Sequence, residues 1–182
     1  VAVNLVFKTQ PSHPGTPNGD VRSGVPFAIQ PVVQARDAAG KTDYDFTEIV
    51  TIEVATGGGV LSGNKKVKAV LGSASFAGIS YNATVDGELF GIEADDEDFV
   101  GKTSIMAVES ASRKADVAVA QLRFRTEPRE AGQFANTVIS GRPFSEQPIV
   151  AALDPQGRID ADFDDLVTLA CAGPGTFSGT AS

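Results

Sequence analysis

Short runs of alternating apolar and polar residues characterise the chain. The clearest run places Val50, Ile52 and Val54 on one face and Thr51 and Glu53 on the other. Such a period of two predicts a half-buried β-strand. The same pattern predicts strands over Leu5–Gln10, Val32–Arg36, Ile49–Val54, Val67–Leu71, Ser75–Tyr81, Leu89–Ala94, Thr103–Val108 and Leu122–Thr126.

Turn signals rich in glycine and proline separate these runs, among them Pro14-Gly15, Asn18-Gly19 and Asp86-Gly87. About seven short strands punctuated in this way within about 110 residues predict an all-β fold, an immunoglobulin-like antiparallel β-sandwich. Its predicted core residues are Phe7, Phe27, Ile29, Val33, Phe46, Val50, Ile52, Val54, Leu71, Phe76, Ile79, Phe90, Ile92 and Ile105.

The chain contains an internal repeat. A shift of 117 residues superimposes Leu5–Pro11 on Leu122–Pro128 and Ser23–Phe27 on Ser140–Phe144, with about 22 identities in 51 positions up to Ala55. A match of this length indicates two copies of one structural unit. We therefore predict a complete sandwich over residues 1–115 and the first half of a second over residues 116–182, with a polar linker at 109–116.

The second copy has no counterpart of residues 64–108. Either the sequence is a piece of a longer protein, or another chain completes the sheet by strand exchange or strand donation. A half-sandwich alone would expose its apolar face and its unpaired strand edges.

The net charge of −8 and the pI of about 4.6 narrow the choice of partners. An acidic surface repels phosphate backbones and anionic membranes, so we expect no nucleic acid partner. No apolar stretch reaches the length of a membrane span, so we also expect no insertion into a bilayer. The single cysteine allows no intrachain disulfide and leaves the compartment open.

The pattern LxFxTxP, SGxPF, QPxVxAxDxxG, VT and LSG resembles the bacterial immunoglobulin-like, or hyalin-like, repeats of large cell-surface and adhesin-like proteins. The resemblance implies tandem sandwiches in an extracellular stalk or adhesive segment without catalytic residues, where neighbouring repeats, or a host or surface glycan or protein, are partners. Two other functions remain open: an accessory or carbohydrate-binding domain of a secreted enzyme, and a virion or surface-layer subunit.

Carboxylate clusters suggest a Ca²⁺ site, because Ca²⁺ takes six to eight oxygen ligands from loops. One candidate is the predicted acidic turn with Asp95, Asp96 and Asp98. The other consists of Asp37, Asp43 and Asp45, and it recurs in the second copy at Asp154, Asp160 and Asp162. We expect Ca²⁺ at such clusters to stiffen the junction between repeats, although aspartate is also a common turn residue.

Other reactive residues have simpler interpretations. His13 is expected to be an exposed loop residue, and Cys171 occupies the inward position of Val54, so we predict that it is buried. Gly57–Gly59 predicts a wide turn or bulge, since no Gly-Lys-Ser/Thr follows as in a phosphate-binding loop. Tryptophan is absent and there are only two tyrosines, which disfavours sugar stacking.

Overall fold

The computed structural model describes residues 1–96, 108–130 and 138–179, and they form an all-β protein with several sheets, consistent with a β-sandwich. One 3-10 turn, Pro17–Gly19, is its helical element among these residues. The strands are β1 Asn4–Thr9, β2 Val21–Arg22, β3 Val32–Arg36, β4 Ile49–Thr56, β5 Val60–Ser62, β6 Lys66–Lys68, β7 Ser73–Ser75, β8 Ser80–Asn82, β9 Glu88–Asp96, β10 Val108–Glu109, β11 Arg113–Asp116, β12 Gln121–Thr126 and β13 Ile149–Leu153. None of the described helical residues forms a helix long and apolar enough to cross a membrane.

Nine of the first eleven strands form two larger sheets. One has the order β1-β3-β7, and the other has the order β2-β11-β9-β4-β6, with β10 also beside β9. Pairing is antiparallel except between β2 and β11, where Val21 lies opposite Ala115 in a parallel pair. A third, two-stranded sheet contains β5 and β8.

The facing sides of these sheets meet in one apolar core. Leu5 and Val33 come from the first sheet, while Ile52, Phe90 and Ile92 come from the second. All five side chains are at most 2% exposed. The alternation along β4 therefore has its predicted cause, since one face of the strand is buried against the opposite sheet.

An aromatic stack lies within this core. The ring centroids of Tyr81 and Phe90 are 3.9 Å apart with an interplanar angle of 7°, and Phe27 stacks beyond Phe90 at 6.2 Å. The Gly57–Gly59 turn covers the stack, and the Gly59 N–H donates a hydrogen bond to the Tyr81 hydroxyl at 2.9 Å. The triglycine segment is thus a turn, as predicted.

Most predicted core residues are buried, but Ile29 and Leu71 are 40% and 65% exposed. Leu71 and Gly72 have φ angles of 48° and 74° and form the tip of a tight turn closed by hydrogen bonds between Val70 and Ser73. A turn tip faces solvent, so the apolar character of Leu71 gave the wrong prediction. Phe7 and Val54 pack against the core while partly buried, and Ile105 lies outside the described residues.

Two strand predictions also need correction. The segment predicted as one strand, Ser75–Tyr81, runs from the last residue of β7 into β8; these strands belong to different sheets, and Gly78 lies between them at a φ of 69°. The polar stretch expected to be a linker contains β11, which pairs with both β9 and β2. Ala115 and Val117 point inward there and are almost fully buried, while the flanking charged side chains lie outside.

We call residues 1–117 the first segment, residues 118–120 the linking stretch and residues 121–179 the second segment. In the second segment β12 pairs with β13, and each of the five residue pairs has the register of a β1–β3 pair shifted by 117 positions. Even the irregularity recurs, between Phe7 and Thr9 in β1 and between Phe124 and Thr126 in β12.

The counterpart of β4 behaves differently. Residues 166–173 occupy the positions of β4 but form no strand, and Leu169 is 43% exposed where its counterpart Ile52 is fully buried. β4 is held between β6 and β9, and the described residues of the second segment include no such neighbours. The prediction that Cys171 is buried was therefore wrong, since the thiol is exposed.

Candidate functional site

The most distinctive polar arrangement lies where the two segments meet. One oxygen of Asp86, in the turn before β9, accepts a hydrogen bond from Val117 N–H at 2.8 Å, and the other accepts from Ala161 N–H at 3.0 Å. Asp160 accepts from Val119 N–H at 2.8 Å. These bonds connect both segments and the short stretch between them, and we call this region the junction.

Arg158 is the cationic member of the junction. Its guanidinium donates a hydrogen bond to the carbonyl oxygen of Ala83 in the first segment. The same guanidinium contacts Asp154 Oδ2 at 2.6–2.7 Å, and the Asp154 side chain is 4% exposed. The bonds that Asp154 accepts from Arg158 and Gln156 outweigh the effect of burial and hold the pKa of Asp154 below its usual range. Arg158 is therefore oriented by its own segment while it contacts the other.

Three carboxylates converge beside these contacts. Asp86, Asp116 and Asp162 each offer an oxygen within 4.8 Å of the other two, the one such group of acidic, histidine or cysteine side chains among the described residues. Lys114 Nζ lies 3.4 Å from Asp162 Oδ2. We call these three aspartates the acidic trio, with two members from the first segment and one from the second.

Electrostatics within the junction disfavour the ionised forms of Asp116 and Asp160. Burial, and then the neighbouring charges of Asp162 and Asp86, raise the pKa of Asp116. Burial and the same neighbours also raise the pKa of Asp160, against the hydrogen bond from Val119. The Asp162 hydrogen bond in turn raises the pKa of Lys114, so this ammonium supplies part of the countercharge.

The acidic trio offers part of a Ca²⁺ donor set. Oxygen is the donor that Ca²⁺ prefers, but Ca²⁺ takes six to eight oxygens and the trio supplies three side chains. Both Asp86 oxygens already accept backbone hydrogen bonds, and Lys114 already lies beside Asp162. A cation would have to share these oxygens or displace the ammonium.

The aspartates predicted as ligands from the sequence lie elsewhere. Asp95 and Asp96 are in β9, opposite Thr51 and Val50, and not in a turn. Neighbouring strand residues point to opposite faces, and accordingly Asp95 is exposed while Asp96 is 6% exposed. The two carboxylates therefore do not converge, and Asp98 lies outside the described residues.

The aspartates of the second predicted cluster accept hydrogen bonds within their own turns. Asp37 Oδ1 accepts hydrogen bonds from Ala39 and Lys41 N–H at 2.9 Å, and Asp43 Oδ1 accepts one from Asp45 N–H at 3.2 Å. Side chains that cap their own turn are common for aspartate. The trio Asp37, Asp43 and Asp45 is not a converging group of the kind seen at the junction.

Sequence reasoning missed Asp86 and Asp116 as members of a site. Asp86 was part of a turn signal and Asp116 closed a predicted linker, whereas Asp162 was recognised as part of a recurring acidic cluster. The signal that could have found them is position, because Asp86 stands in the turn before β9 and Asp116 ends β11, just before the linking stretch.

His13 is partly buried and not an exposed loop residue. Burial, followed by the nearby charge of Arg22, lowers its pKa. The described residues offer no hydrogen-bond partner to its Nδ1 atom. Its loop packs against the body of the first segment, where the backbone of Ser12 exchanges two hydrogen bonds with that of Ile29.

Comparison with models of known protein families gives no match, and a search of curated proteins likewise finds none. We therefore base the functional proposal on the contacts of the described residues.

Proposed function

We propose that the chain is a non-catalytic structural repeat module, a stalk or spacer segment of a bacterial cell-surface protein. The observation that carries the proposal is the junction, where Asp86 accepts N–H bonds from Val117, at the end of the first segment, and from Ala161 in the second segment. A spacer has to transmit position from one unit to the next, and bonds that span both units limit their relative rotation.

Strand order supports an immunoglobulin-like assignment for the first segment. The sheet β1-β3-β7 corresponds to strands A, B and E of that fold, and β11-β9-β4-β6 corresponds to G, F, C and C′. The recurrence of the β1–β3 register in β12–β13 supports tandem repetition of the same unit. Domains of this kind are common building blocks of extended surface proteins, and this likeness is one of fold alone.

The linking stretch is too short for free motion between the segments. Only Ala118, Val119 and Ala120 separate the buried Val117 from β12, and Val119 N–H is bonded to Asp160. Ala120 N–H donates to the Leu153 carbonyl at 2.8 Å. Since two of the three backbone N–H groups of the stretch are bonded to the second segment and Val117 N–H is bonded to Asp86 in the first, the module is suited to holding a fixed angle.

NMR relaxation of the full chain tests the spacer proposal. We expect one rotational correlation time and one diffusion tensor for amides in both segments. The matched control is Asp86→Ala, which removes the shared carboxylate and is expected to give the segments partly independent motion. Two unrelated correlation times in the unmodified chain would falsify the proposal.

Surface exposure has its own test. Antibodies raised against the chain are expected to label intact source cells, and external protease is expected to remove the label without lysis. Labelling that requires permeabilised cells contradicts the cell-surface assignment.

A subunit of a surface layer or virion is the second candidate function. The edge of β13 opposite β12 favours it, because among the described residues only the bridge between Leu153 and Ile159 and the hydrogen bond from Asp160 to Ala152 occupy this edge, and free edges join subunits. Sugar binding has weaker support, since Tyr81 is fully buried in the core and leaves Tyr44 as the one exposed tyrosine.

A further inference from the structure

The repeated motif SGxPF followed by Gln has a defined partner in the first segment. Phe27 N–H donates to the Ile79 carbonyl and Gly24 N–H donates to the Tyr81 carbonyl, both at 2.8 Å. Ala83 N–H donates to Ser23 Oγ at 2.9 Å. The motif is therefore the receptor for the backbone of β8 and its flanking residues.

Gln30 completes this receptor. Its amide donates to the carbonyl oxygen of Ile79 at 3.1 Å and accepts from the Ile79 N–H at 2.9 Å, so it substitutes for a neighbouring strand. A second hydrogen bond from Nε2 to the Phe27 carbonyl, at 2.6 Å, orients the side chain. Ile79 and Tyr81, which are held in this way, are both fully buried.

The second segment contains the same receptor in the same conformation. Gly141 has a φ of 75° where Gly24 has 77°, and the turn bond from Arg142 N–H to the Ile139 carbonyl matches that from Val25 to Arg22 at 3.2 Å. Gln147 Nε2 donates to the Phe144 carbonyl at 2.7 Å, as Gln30 does to Phe27.

The two segments differ in whether a strand lies against this motif. Among the described residues, the Gln147 side chain has no bond other than that to Phe144, and no strand stands where β8 stands in the first segment. Leu122 is 47% exposed where its counterpart Leu5 is 2% exposed. The receptor is thus formed, and no strand among the described residues covers it or the apolar face beside it.

We infer that Ser140–Gln147 and the exposed face of β12–β13 form an acceptor site for the complementary half of a repeat, an extended segment like residues 64–96 of this chain. The first segment shows how it is seated: β7 beside β3, β8 on the motif, and Ile79 and Tyr81 buried in the core. The inference rests on the proposed function only in treating the two segments as copies of one unit.

Preorganisation supports this occupant. The acceptor keeps its turn geometry and glutamine orientation without the segment, so docking would cost little ordering on the acceptor side. Residues 166–171 would gain neighbours on both sides and pair as β4 does, which covers the apolar side chains that are now exposed.

The test uses the full chain and a synthetic peptide of residues 64–96. We expect 1:1 binding by calorimetry, and slower modification of the exposed Cys171 thiol by a disulfide reagent, because the counterpart position, Val54, is in a strand and partly buried. A peptide with Ile79→Asp and Tyr81→Asp is expected not to bind. Absence of binding by the unmodified peptide overturns the inference.

Gln147→Ala locates the site. Loss of two backbone hydrogen bonds to the docked segment is expected to weaken peptide binding about tenfold. The matched control is Gln30→Ala, the same substitution in the first segment, which is expected to lower the stability of that segment and leave the peptide affinity unchanged. Binding that is insensitive to Gln147→Ala, or amide shifts confined to the first segment, counts against the acceptor site.

Sedimentation equilibrium separates the remaining alternatives. We expect a monomer that stays monomeric when the peptide binds, whereas a stable dimer that the peptide does not dissociate would mean that a second copy covers the face. Peptide binding with independently tumbling segments refutes only the spacer proposal, and failed binding to a rigid chain refutes only this inference.

Discussion

Asp86 and Ala161 are 75 residues apart in the chain, yet the Asp86 carboxylate accepts the Ala161 N–H at 3.0 Å. The other oxygen of the same carboxylate accepts Val117 N–H at the end of the first segment. One side chain thus bonds both sides of the linking stretch, and its removal leaves two backbone donors unpaired at once.

Replacement of Asp86 by alanine is expected to loosen the junction. We expect a loss of about 1–3 kcal/mol in the free energy of unfolding, because hydrogen bonds to a charged acceptor are worth more than neutral ones. Urea unfolding checks the loss, and hydrogen exchange at Val117 and Ala161 is expected to accelerate. The control is Asp164→Ala, an exposed carboxylate of the second segment, and an equal loss there contradicts the assigned role.

Because the pKa of Asp116 is raised, we predict that a neutral residue in its place increases the stability of the folded chain by an amount that depends on pH. The pKa of Asp116 in the folded chain lies above the ordinary 3.8, so the folded chain binds more protons than the unfolded chain between these two pKa values. The stability that protonated Asp116 supplies is therefore present below pH 3.8 and is lost as pH rises through the folded pKa. Asp116→Asn is therefore expected to raise the melting temperature at pH 7 and to have a vanishing effect below pH 3.8. A lower melting temperature at pH 7 contradicts this sign.

Calcium dependence tests the prediction made from the sequence. If Ca²⁺ binds the acidic trio, 2 mM Ca²⁺ is expected to raise the melting temperature. The added stability is about 2.7 kcal/mol when the Ca²⁺ concentration is a hundred times the dissociation constant. EDTA is expected to reverse the rise, and Asp162→Asn to abolish it. A melting temperature that does not change with Ca²⁺ ends the hypothesis, with Mg²⁺ as the control for general screening.

Gly59 is predicted to be intolerant of any side chain. A Cβ atom there would lie 2.2 Å from the Asn82 carbonyl oxygen and 2.6 Å from the Tyr81 ring, so the turn would have to move off the aromatic stack. We expect Gly59→Ala to cost about 1–3 kcal/mol of stability, typical of forced overpacking. Its neighbour provides the control, since the nearest contacts of a Cβ at Gly58 are movable side-chain atoms at 3.2 Å or more. Thermal unfolding is expected to rank Gly58→Ala as the milder change.

The fold class was predictable where the pattern of side chains and the pairing of strands agree. β3 has the predicted bounds, Val32–Arg36. Its apolar and polar residues alternate, and the strand pairs with β1 on one side and β7 on the other. β11 was missed because its stability comes from backbone pairing on both sides and from one small buried residue, Ala115, which leaves no apolar run in the sequence.

The candidate site was predictable only in its location and charge. Recurring acidic residues suggested a junction between units, and Asp162 is indeed in the acidic trio. Its partners Asp86 and Asp116 are brought near by sheet order, which local sequence does not encode. The strand pattern at residues 166–171 failed for a related reason: Ile52 and Leu169 occupy equivalent positions, but in the described part of the chain strands lie only beside Ile52.

The repeated irregularity between Phe7 and Thr9, and between Phe124 and Thr126, has a consequence for biosynthesis. The residues that pair in β12 and β13 leave the ribosome within about thirty positions of one another. Vectorial synthesis can therefore fix the geometry of each such strand pair before the rest of its repeat is translated, which reduces the risk that neighbouring copies of similar sequence exchange partners along a growing chain.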